Sequence, residues 1–183
     1  MNLPNKLTLL RIILIPVFMV VLYWGFPGAT WVALAIFIIA SLTDMLDGKI
    51  ARKYNLVTDF GKFADPLADK CLVMAALCWF VETGDMVGWV LAVVLLREFA
   101  VSGMRLIAVE KGRVIAAGWS GKVKTASTMV CICLMLLIAR PALDLVCAAV
   151  ILVTTVYSGA EYFVKNKDVV DWSNLVMLDF TKE

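Results

Sequence analysis

The stretch "DMLDGKIARKYNLVTDFGKFADPLADK", residues 44–70, decides how this chain folds and what it does. It places four aspartates, Asp44, Asp47, Asp65 and Asp69, at regular spacing beside long apolar runs. An unpaired carboxylate is energetically costly in apolar surroundings, so acidic residues inside an apolar chain require a physical explanation. The rest of the sequence shows what those surroundings are.

The composition is that of a membrane protein. Of 183 residues, 62% are hydrophobic and 17% are charged, and the mean hydropathy is +0.91. The net charge of +2 is small and the basic residues are not clustered with aromatics, so no nucleic-acid partner is expected. The absence of histidine excludes Ser-His-Asp and Cys-His catalysis and His-ligated zinc or haem.

Apolar runs long enough to cross a bilayer recur along the chain. A hydrocarbon core about 30 Å thick needs about 20 apolar residues per helix. Six such runs lie near residues 7–25, 30–53, 63–82, 86–109, 122–140 and 142–164. We therefore expect an all-α fold, a polytopic bundle of six transmembrane helices forming one membrane domain over residues 1–183. Lys and Arg concentrate in alternate loops and near the N-terminus, which predicts that both termini are cytoplasmic.

The residues around the aspartates fall on two helix faces. At 100° per residue, the first face carries Asp44, Asp47, Gly48, Ala51 and Arg52, and the second carries Gly61, Asp65 and Asp69. The segment between the two helices is short, so the helices are expected to be antiparallel neighbours whose carboxylates face each other. The cluster is expected below the cytoplasmic surface but within reach of it.

Four converging carboxylates repel one another, and two divalent cations would neutralise them. A ligand set of oxygens alone selects hard ions such as Mg²⁺ or Mn²⁺ over zinc or copper. The small residues on the same faces leave room for a bulky ligand. The pattern therefore favours two-metal phosphoryl chemistry.

Two other interpretations fit part of the pattern. The aspartates could be structural partners of nearby cations such as Arg52, Lys62 and Lys70. A cation or proton transporter also lines its path with acids. The transporter is disfavoured because the acids of the signature sit at one side of the membrane.

The spacing Asp44-x2-Asp47-Gly48-x2-Ala51-Arg52-x8-Gly61-x3-Asp65-x3-Asp69 resembles the full signature of the CDP-alcohol phosphotransferase family. That resemblance implies a six-helix membrane enzyme, a homodimer, which transfers a phosphoalcohol from a CDP-alcohol to an acceptor hydroxyl and releases CMP. By position, the implied metal ligands are Asp44, Asp47, Asp65 and Asp69, with Asp69 also the general base. The implied CDP site consists of Asp44, Gly48, Ala51, Arg52, Gly61 and Thr8.

Three further segments indicate which acceptor is used within this family. "LPNKLTLLR" (3–11), "REFAVSGMR" (97–105) and "WSGKVKT" (119–125) resemble bacterial phosphatidylglycerophosphate synthases within that family. This implies CDP-diacylglycerol and glycerol 3-phosphate as substrates, at the cytoplasmic face of the bacterial cytoplasmic membrane. Serine, inositol phosphate and phosphatidylglycerol are the alternative acceptors.

The expected acceptor-phosphate site is a set of cations, namely Arg105, Lys124, Arg113, Lys122 and Arg97. Arg105 is the first candidate because it shares a helix face with Glu98 and Ser102. Lys and Arg at cytoplasmic helix ends also serve simply to orient helices and to snorkel, which is the alternative for Arg113 and Lys122. Arg97 lies in mid-helix and needs a partner, either Glu98 or a substrate phosphate.

Overall fold

In the computed structural model the backbone is described for residues 3–53, 59–116 and 118–169. Within these ranges, side chains are described except at positions 3, 4, 44–53, 59–63, 65, 66 and 69. The described backbone consists of helices and short turns. The helices are α1 Leu3–Trp24, α2 Ala29–Lys53, α3 Asp59–Thr83, α4 Gly88–Glu110, α5 Trp119–Leu137 and α6 Pro141–Lys165. The expectation of an all-α chain with six helices is confirmed.

The helix boundaries also differ from the hydropathy pattern before Pro141. The apolar run predicted a fifth helix that continues to residue 140, whereas α5 ends at Leu137. A residue before proline is disfavoured from the helical region, and Arg140 has extended dihedrals (φ −137°, ψ 118°). Pro141 then begins α6, where its missing N–H removes no helical hydrogen bond.

Ring contacts fix how the first three helices run. Phe18 in the second half of α1 meets Phe37 in the first half of α2, with ring centroids 6.1 Å apart. Tyr23 at the end of α1 packs edge-on against Trp79 near the end of α3, at 5.0 Å. α1 is therefore antiparallel to α2 and parallel to α3, so α2 and α3 are antiparallel, as predicted.

Polar contacts give the relative directions of the remaining helices. Lys70 in α3 donates to Ser102 in the second half of α4, so these helices are antiparallel. Arg105 near the end of α4 contacts Tyr162 near the end of α6, so those two are parallel. The ends of α2, α4 and α6 consequently lie with the starts of α3 and α5, at what we call the basic end of the bundle. Arg140 lies at the opposite end.

Two hydrophobic clusters hold the bundle together. The larger one joins all six helices and includes the fully buried side chains Phe18, Phe37, Leu77, Val94, Ile132 and Ile151. The smaller one lies at the basic end, where Val101, Met104 and Ala108 of α4 pack against Tyr162 and Val169. The second cluster ties the ends of α4 and α6 to the segment that follows α6.

Three described helices are apolar and long enough to cross a membrane, in the spans Asn5–Trp24, Trp119–Leu137 and Pro141–Lys165. The 22 residues of α1 extend about 33 Å, close to the thickness of a bilayer core. α2 contributes a shorter apolar stretch, Ala29–Thr43. Large apolar side chains such as Leu96 and Phe99 point outward, as expected of a surface in contact with lipid.

Candidate active site

The backbone brings both pairs of signature aspartates to the same end of the bundle. Asp44 and Asp47 lie in the second half of α2, and Asp65 and Asp69 lie in the first half of α3. Because α2 and α3 are antiparallel, these two segments are at the basic end. The side chains of the four aspartates lie outside the described part of the structure, so their roles as metal ligands, and that of Asp69 as base, stay predictions.

The expected CDP site is described only in part. Gly48, Ala51 and Arg52 lie in the last turns of α2, and Gly61 lies in the first turn of α3, but their surroundings are outside the described side chains. Thr8 is described and is buried in α1. One helical turn further on, Arg11 is fully buried as well. This buried face of α1 lies in the half of the helix that is nearer the basic end.

The most highly charged group among the described side chains is centred on Glu98 of α4. Oε1 of its carboxylate is 2.8 Å from the Arg97 guanidinium and 2.9 Å from Nζ of Lys124 in α5. Oε2 is 3.7 Å from Nζ of Lys70 in α3. Lys70 also donates to the hydroxyl of Ser102. We call Lys70, Arg97, Glu98 and Lys124 the Glu98 cluster.

The Glu98 cluster has a surplus of positive charge. Three cations surround one carboxylate, and all but Lys70 are largely or fully buried: Lys124 is 4% exposed, and the side chains of Arg97 and Glu98 are 13% and 14% exposed. Lys70 directly follows Asp69 along α3, which puts the cluster at the same depth in the bundle as that aspartate. A cationic group therefore lies beside the acidic part of the signature.

Arg97 passes between two glycines on its way to Glu98. A Cβ on Gly121 of α5 would be 3.6 Å from its guanidinium, and a Cβ on Gly159 of α6 would be 3.2 Å from its Cγ. The second distance is shorter than ordinary van der Waals contact. Nε of Arg97 is buried and has no hydrogen-bond partner in the described structure. Of the two partners expected for Arg97, the structure shows Glu98, and a substrate phosphate stays a prediction.

Arg105 contacts α6 and not the Glu98 cluster. Its Nε donates a long, 3.4 Å hydrogen bond to the Tyr162 hydroxyl, and its guanidinium carbon is 5.7 Å from the centre of that ring. The helix face that Arg105 shares with Glu98 and Ser102 is thus divided among three neighbouring helices. Glu98 and Ser102 meet α3 and α5, whereas Arg105 turns to Tyr162.

The other two expected phosphate ligands are at the surface of the basic end. Arg113 pairs with Asp168 beyond α6, and the hydrogen bond from its guanidinium lowers the pKa of that carboxyl. Lys122 is exposed in the first turn of α5. Lys111 donates to the carbonyl of Val169 at 2.9 Å, so two cations fasten the segment after α6 to the loop after α4.

A small cavity beside Tyr162 is not large enough for a nucleotide. It holds about 160 Å³ and is lined by residues of the α5 start and the α6 end, Ile115, Ala116, Gly118, Ser120, Glu161, Tyr162, Lys165 and Asn166. Small-molecule sites usually hold about 300 Å³ or more. The side chains that the structure describes also include no group of three His, Cys, Asp or Glu residues suited to a metal. The signature aspartates remain the candidate metal ligands, and the residues around them remain the candidate nucleotide site.

The sequence pattern did not predict that Lys70 and Glu98 belong to one charged cluster. Lys70 was considered only as a structural partner of the aspartates, yet it bridges α3 to α4. Glu98 was considered as a partner for Arg97, but its contacts with Lys70 and Lys124 join three helices. The available signal was that acids are scarce in the apolar runs outside the signature, so a mid-helix glutamate needs more than a neighbour in sequence.

Known proteins are similar to this chain over most of its length. The family described as CDP-alcohol phosphatidyltransferase matches residues 1–159. A Bacillus subtilis CDP-diacylglycerol–glycerol-3-phosphate 3-phosphatidyltransferase is 44% identical, over 94% of this chain and 99% of that protein. A probable phosphatidylglycerophosphate synthase of Mycobacterium tuberculosis is 43% identical, over 88% and 79% respectively. A Salmonella paratyphi A enzyme with the same name as that of B. subtilis is 43% identical, over 74% and 76%.

The chain belongs to the CDP-alcohol phosphatidyltransferase family. It is therefore a membrane-associated transferase of phospholipid biosynthesis, and the resemblance first noted in the aspartate signature is confirmed.

Lys124 and Lys165 form ion pairs of opposite character, and we expect their replacement to affect stability differently. Lys124→Met removes a buried, charged hydrogen bond to Glu98 and should destabilise the protein by about 2 kcal/mol, although Arg97 and Lys70 still pair with that carboxylate. Lys165→Met breaks an exposed pair with Glu161 and should leave the unfolding midpoint close to that of wild type. Unfolding in detergent measures both. Equal midpoints for the two variants would contradict a structural role of the Glu98 cluster.

Proposed function

We propose that this enzyme transfers the phosphatidyl group of CDP-diacylglycerol to glycerol 3-phosphate, giving phosphatidylglycerol phosphate and CMP. The observation that carries the proposal is the similarity to the B. subtilis enzyme, which extends over nearly the full length of both chains at 44% identity. The printed names of the other relatives point to the same reaction. The complete signature between residues 44 and 69 supplies the chemistry.

In the proposed reaction, the 1-hydroxyl of glycerol 3-phosphate attacks the β-phosphorus of CDP-diacylglycerol. Asp69 accepts the hydroxyl proton as the new P–O bond forms. The bond from the β-phosphorus to the bridging oxygen breaks, and CMP leaves with that oxygen. Charge develops on the pyrophosphate oxygens during this step, so positive charge placed beforehand lowers the barrier.

The same proposal includes two Mg²⁺ or Mn²⁺ ions held by Asp44, Asp47, Asp65 and Asp69. The donor set fits hard cations, since it offers carboxylate oxygens and the chain contains no histidine. The two helix segments that carry these residues lie at one end of the bundle. When bound, such ions neutralise the pyrophosphate and polarise it for attack.

The CDP moiety is proposed to lie against Gly48, Ala51, Arg52, Gly61 and Thr8. The acceptor phosphate is proposed to meet cations at the basic end. Lys124 and Arg97 are the best supported of the predicted set, because they are buried at the depth of Asp69. Arg105 is next, with Tyr162 holding its guanidinium. Arg113 and Lys122, which are exposed, are better suited to attracting anions than to orienting them.

The proposed setting is the bacterial cytoplasmic membrane. All six helices would span it, with both termini and the active site on the cytoplasmic side. The alternating helix directions and the gathering of Lys and Arg at one end support this orientation through the positive-inside rule. A homodimer surrounded by membrane lipids is part of the same proposal and follows from the family resemblance alone.

The choice of acceptor is tested by CMP release. Purified enzyme with CDP-diacylglycerol and Mg²⁺ is given glycerol 3-phosphate, serine, inositol phosphate or phosphatidylglycerol in turn. We expect rapid CMP release with glycerol 3-phosphate and at least tenfold slower release with the others. A preference for another acceptor would overturn the substrate assignment but keep the family chemistry. No CMP release with any of them, together with ion flux in liposomes, would favour the transporter.

Metal dependence and the base are tested together. Chelation should abolish CMP release, and Mg²⁺ or Mn²⁺ should restore it far better than Zn²⁺. Asp69→Asn should lower turnover at least a hundredfold, because proton transfer is lost, while binding of CDP-diacylglycerol persists. Asp59→Asn, outside the signature, is the matched control and should keep most of the activity. Turnover of Asp69→Asn near that of wild type would remove the assignment of the base.

A further inference from the structure

Glu98 has a position that neither the family signature nor the expected acceptor site accounts for. It is a largely buried carboxylate in the middle of α4, and its three cationic partners come from α3, from α4 itself and from α5. A single charge of opposite sign would satisfy a structural carboxylate. Three cations around one acid leave two positive charges that the protein does not neutralise within the cluster.

Few other interactions among the described side chains hold these three cations close to one another. Among the described side chains, Lys70 has one further partner, the Ser102 hydroxyl, and the Lys124 ammonium donates a hydrogen bond to Glu98. Without a shared carboxylate, three like charges at this spacing repel in a partly buried site. Lys and Arg side chains also have considerable rotamer freedom to move apart. Glu98 is therefore the group that holds the cations in one place.

A second feature of the fold acts on the same cluster without carrying charge. The Arg97 side chain lies in the slot between Gly121, which is next to its guanidinium, and Gly159, where a methyl group would come within 3.2 Å of its Cγ. Glycine is unfavourable in a helix interior by about 1 kcal/mol relative to alanine, so its presence in α6 calls for a reason. The close approach of Arg97 supplies that reason.

We propose that Glu98 is a positioning residue for the reaction, and that the Gly121–Gly159 slot assists it, together fixing Lys70, Arg97 and Lys124 as one preformed site for the anionic phosphate of the acceptor. This rests on the proposed function and adds Lys70, Glu98 and the slot to it. A preformed site binds an anion without first assembling its donors, so binding retains more of the interaction energy. Its depth beside Asp69 holds the acceptor hydroxyl near the base.

The first test removes the charge of Glu98 but keeps its shape. In Glu98→Gln the KM for glycerol 3-phosphate should rise about tenfold or more, since ordered charged hydrogen bonds to phosphate are lost. The KM for CDP-diacylglycerol should change less than twofold. Glu98→Asp, which keeps the carboxylate, should recover part of the loss. Glu110→Gln, at the exposed end of the same helix, is the control and should behave as wild type.

The direction of the effect decides between positioning and simple electrostatics. Glu98→Gln makes the cluster more positive, so an unstructured patch of charge would bind the acceptor phosphate more tightly. An unchanged or lowered KM for glycerol 3-phosphate in Glu98→Gln therefore overturns the proposal. Inorganic phosphate provides a second reading, because its inhibition constant against the acceptor should rise in parallel with that KM.

The second test displaces Arg97 without altering any charge. Gly159→Ala should lower kcat/KM for glycerol 3-phosphate about tenfold, although alanine favours the helix and the unfolding midpoint should not fall. Gly103→Ala in α4 is the matched control, because a methyl group there meets open space. Equal activity of the two alanine variants would overturn the role of the slot.

The two levels of proposal fail in different ways. If wild type does not use glycerol 3-phosphate, the substrate assignment falls, whatever the variants do. If wild type uses it and Glu98→Gln keeps its KM, the positioning role falls while the substrate assignment stands. Should Glu98→Gln not fold, the KM for glycerol 3-phosphate and the phosphate inhibition constant are measured in Gly159→Ala, where both should rise; unchanged values there overturn the proposal.

Discussion

Charge inside an apolar bundle must be paired, and this structure depends on that constraint. An isolated ion in a low-dielectric interior is unstable by several kcal/mol even after relaxation. The helices here nevertheless bury the guanidinium of Arg11, the ammonium of Lys124 and most of Glu98. The ion pairs of Glu98 connect α3, α4 and α5, so the relative placement of these helices is part of how the charges are satisfied. If the proposed acceptor site is right, the same residues serve substrate binding and helix packing.

The charges lie on different helices at one depth of the bundle, which would suit the proposed phosphoryl transfer. Acidic residues of the signature lie on α2 and α3, and the Glu98 cluster brings cations from α3, α4 and α5 to the depth of Asp69. A donor pyrophosphate with its metal ions and an acceptor phosphate both carry charge that must be held apart until they react. An acidic half for the metals and a cationic half for the acceptor would meet this need, with Asp69 where the two halves adjoin. Lys70, next in sequence to Asp69, joins the halves physically.

The helices and the family were predictable from sequence, and the cation contacts were not. Six apolar runs located all six helices, because hydrophobic length is a strong signal in membrane proteins. The end of α5 was misplaced since hydropathy does not register the effect of Pro141 on the residue before it. Helix periodicity put Arg105 on a face with Glu98 and Ser102. It was unable to show that Arg105 turns to Tyr162, because a long side chain has several directions and the choice depends on α6.

Similar reasoning explains what was missed about Glu98. A neighbour at i−1, Arg97, is visible in the sequence, but Lys70 and Lys124 are 28 and 26 residues away and become neighbours only through helix packing. The slot for Arg97 is equally non-local, since Gly121 and Gly159 belong to different helices. A single sequence shows that a buried charge needs partners, and the fold shows which ones it has.

We propose that the carboxylates of α2 and α3 form a two-metal site that faces the acceptor cations. Locating the bound metal ions tests this proposal. Crystals of the enzyme grown with Mn²⁺ and CDP-diacylglycerol would be measured at the manganese absorption edge. If the two-metal proposal is right, two anomalous peaks will lie between α2 and α3, each within about 2.5 Å of carboxylate oxygens from Asp44, Asp47, Asp65 or Asp69. Peaks bound elsewhere in an active enzyme, or no peak at these aspartates at saturating Mn²⁺, would contradict it.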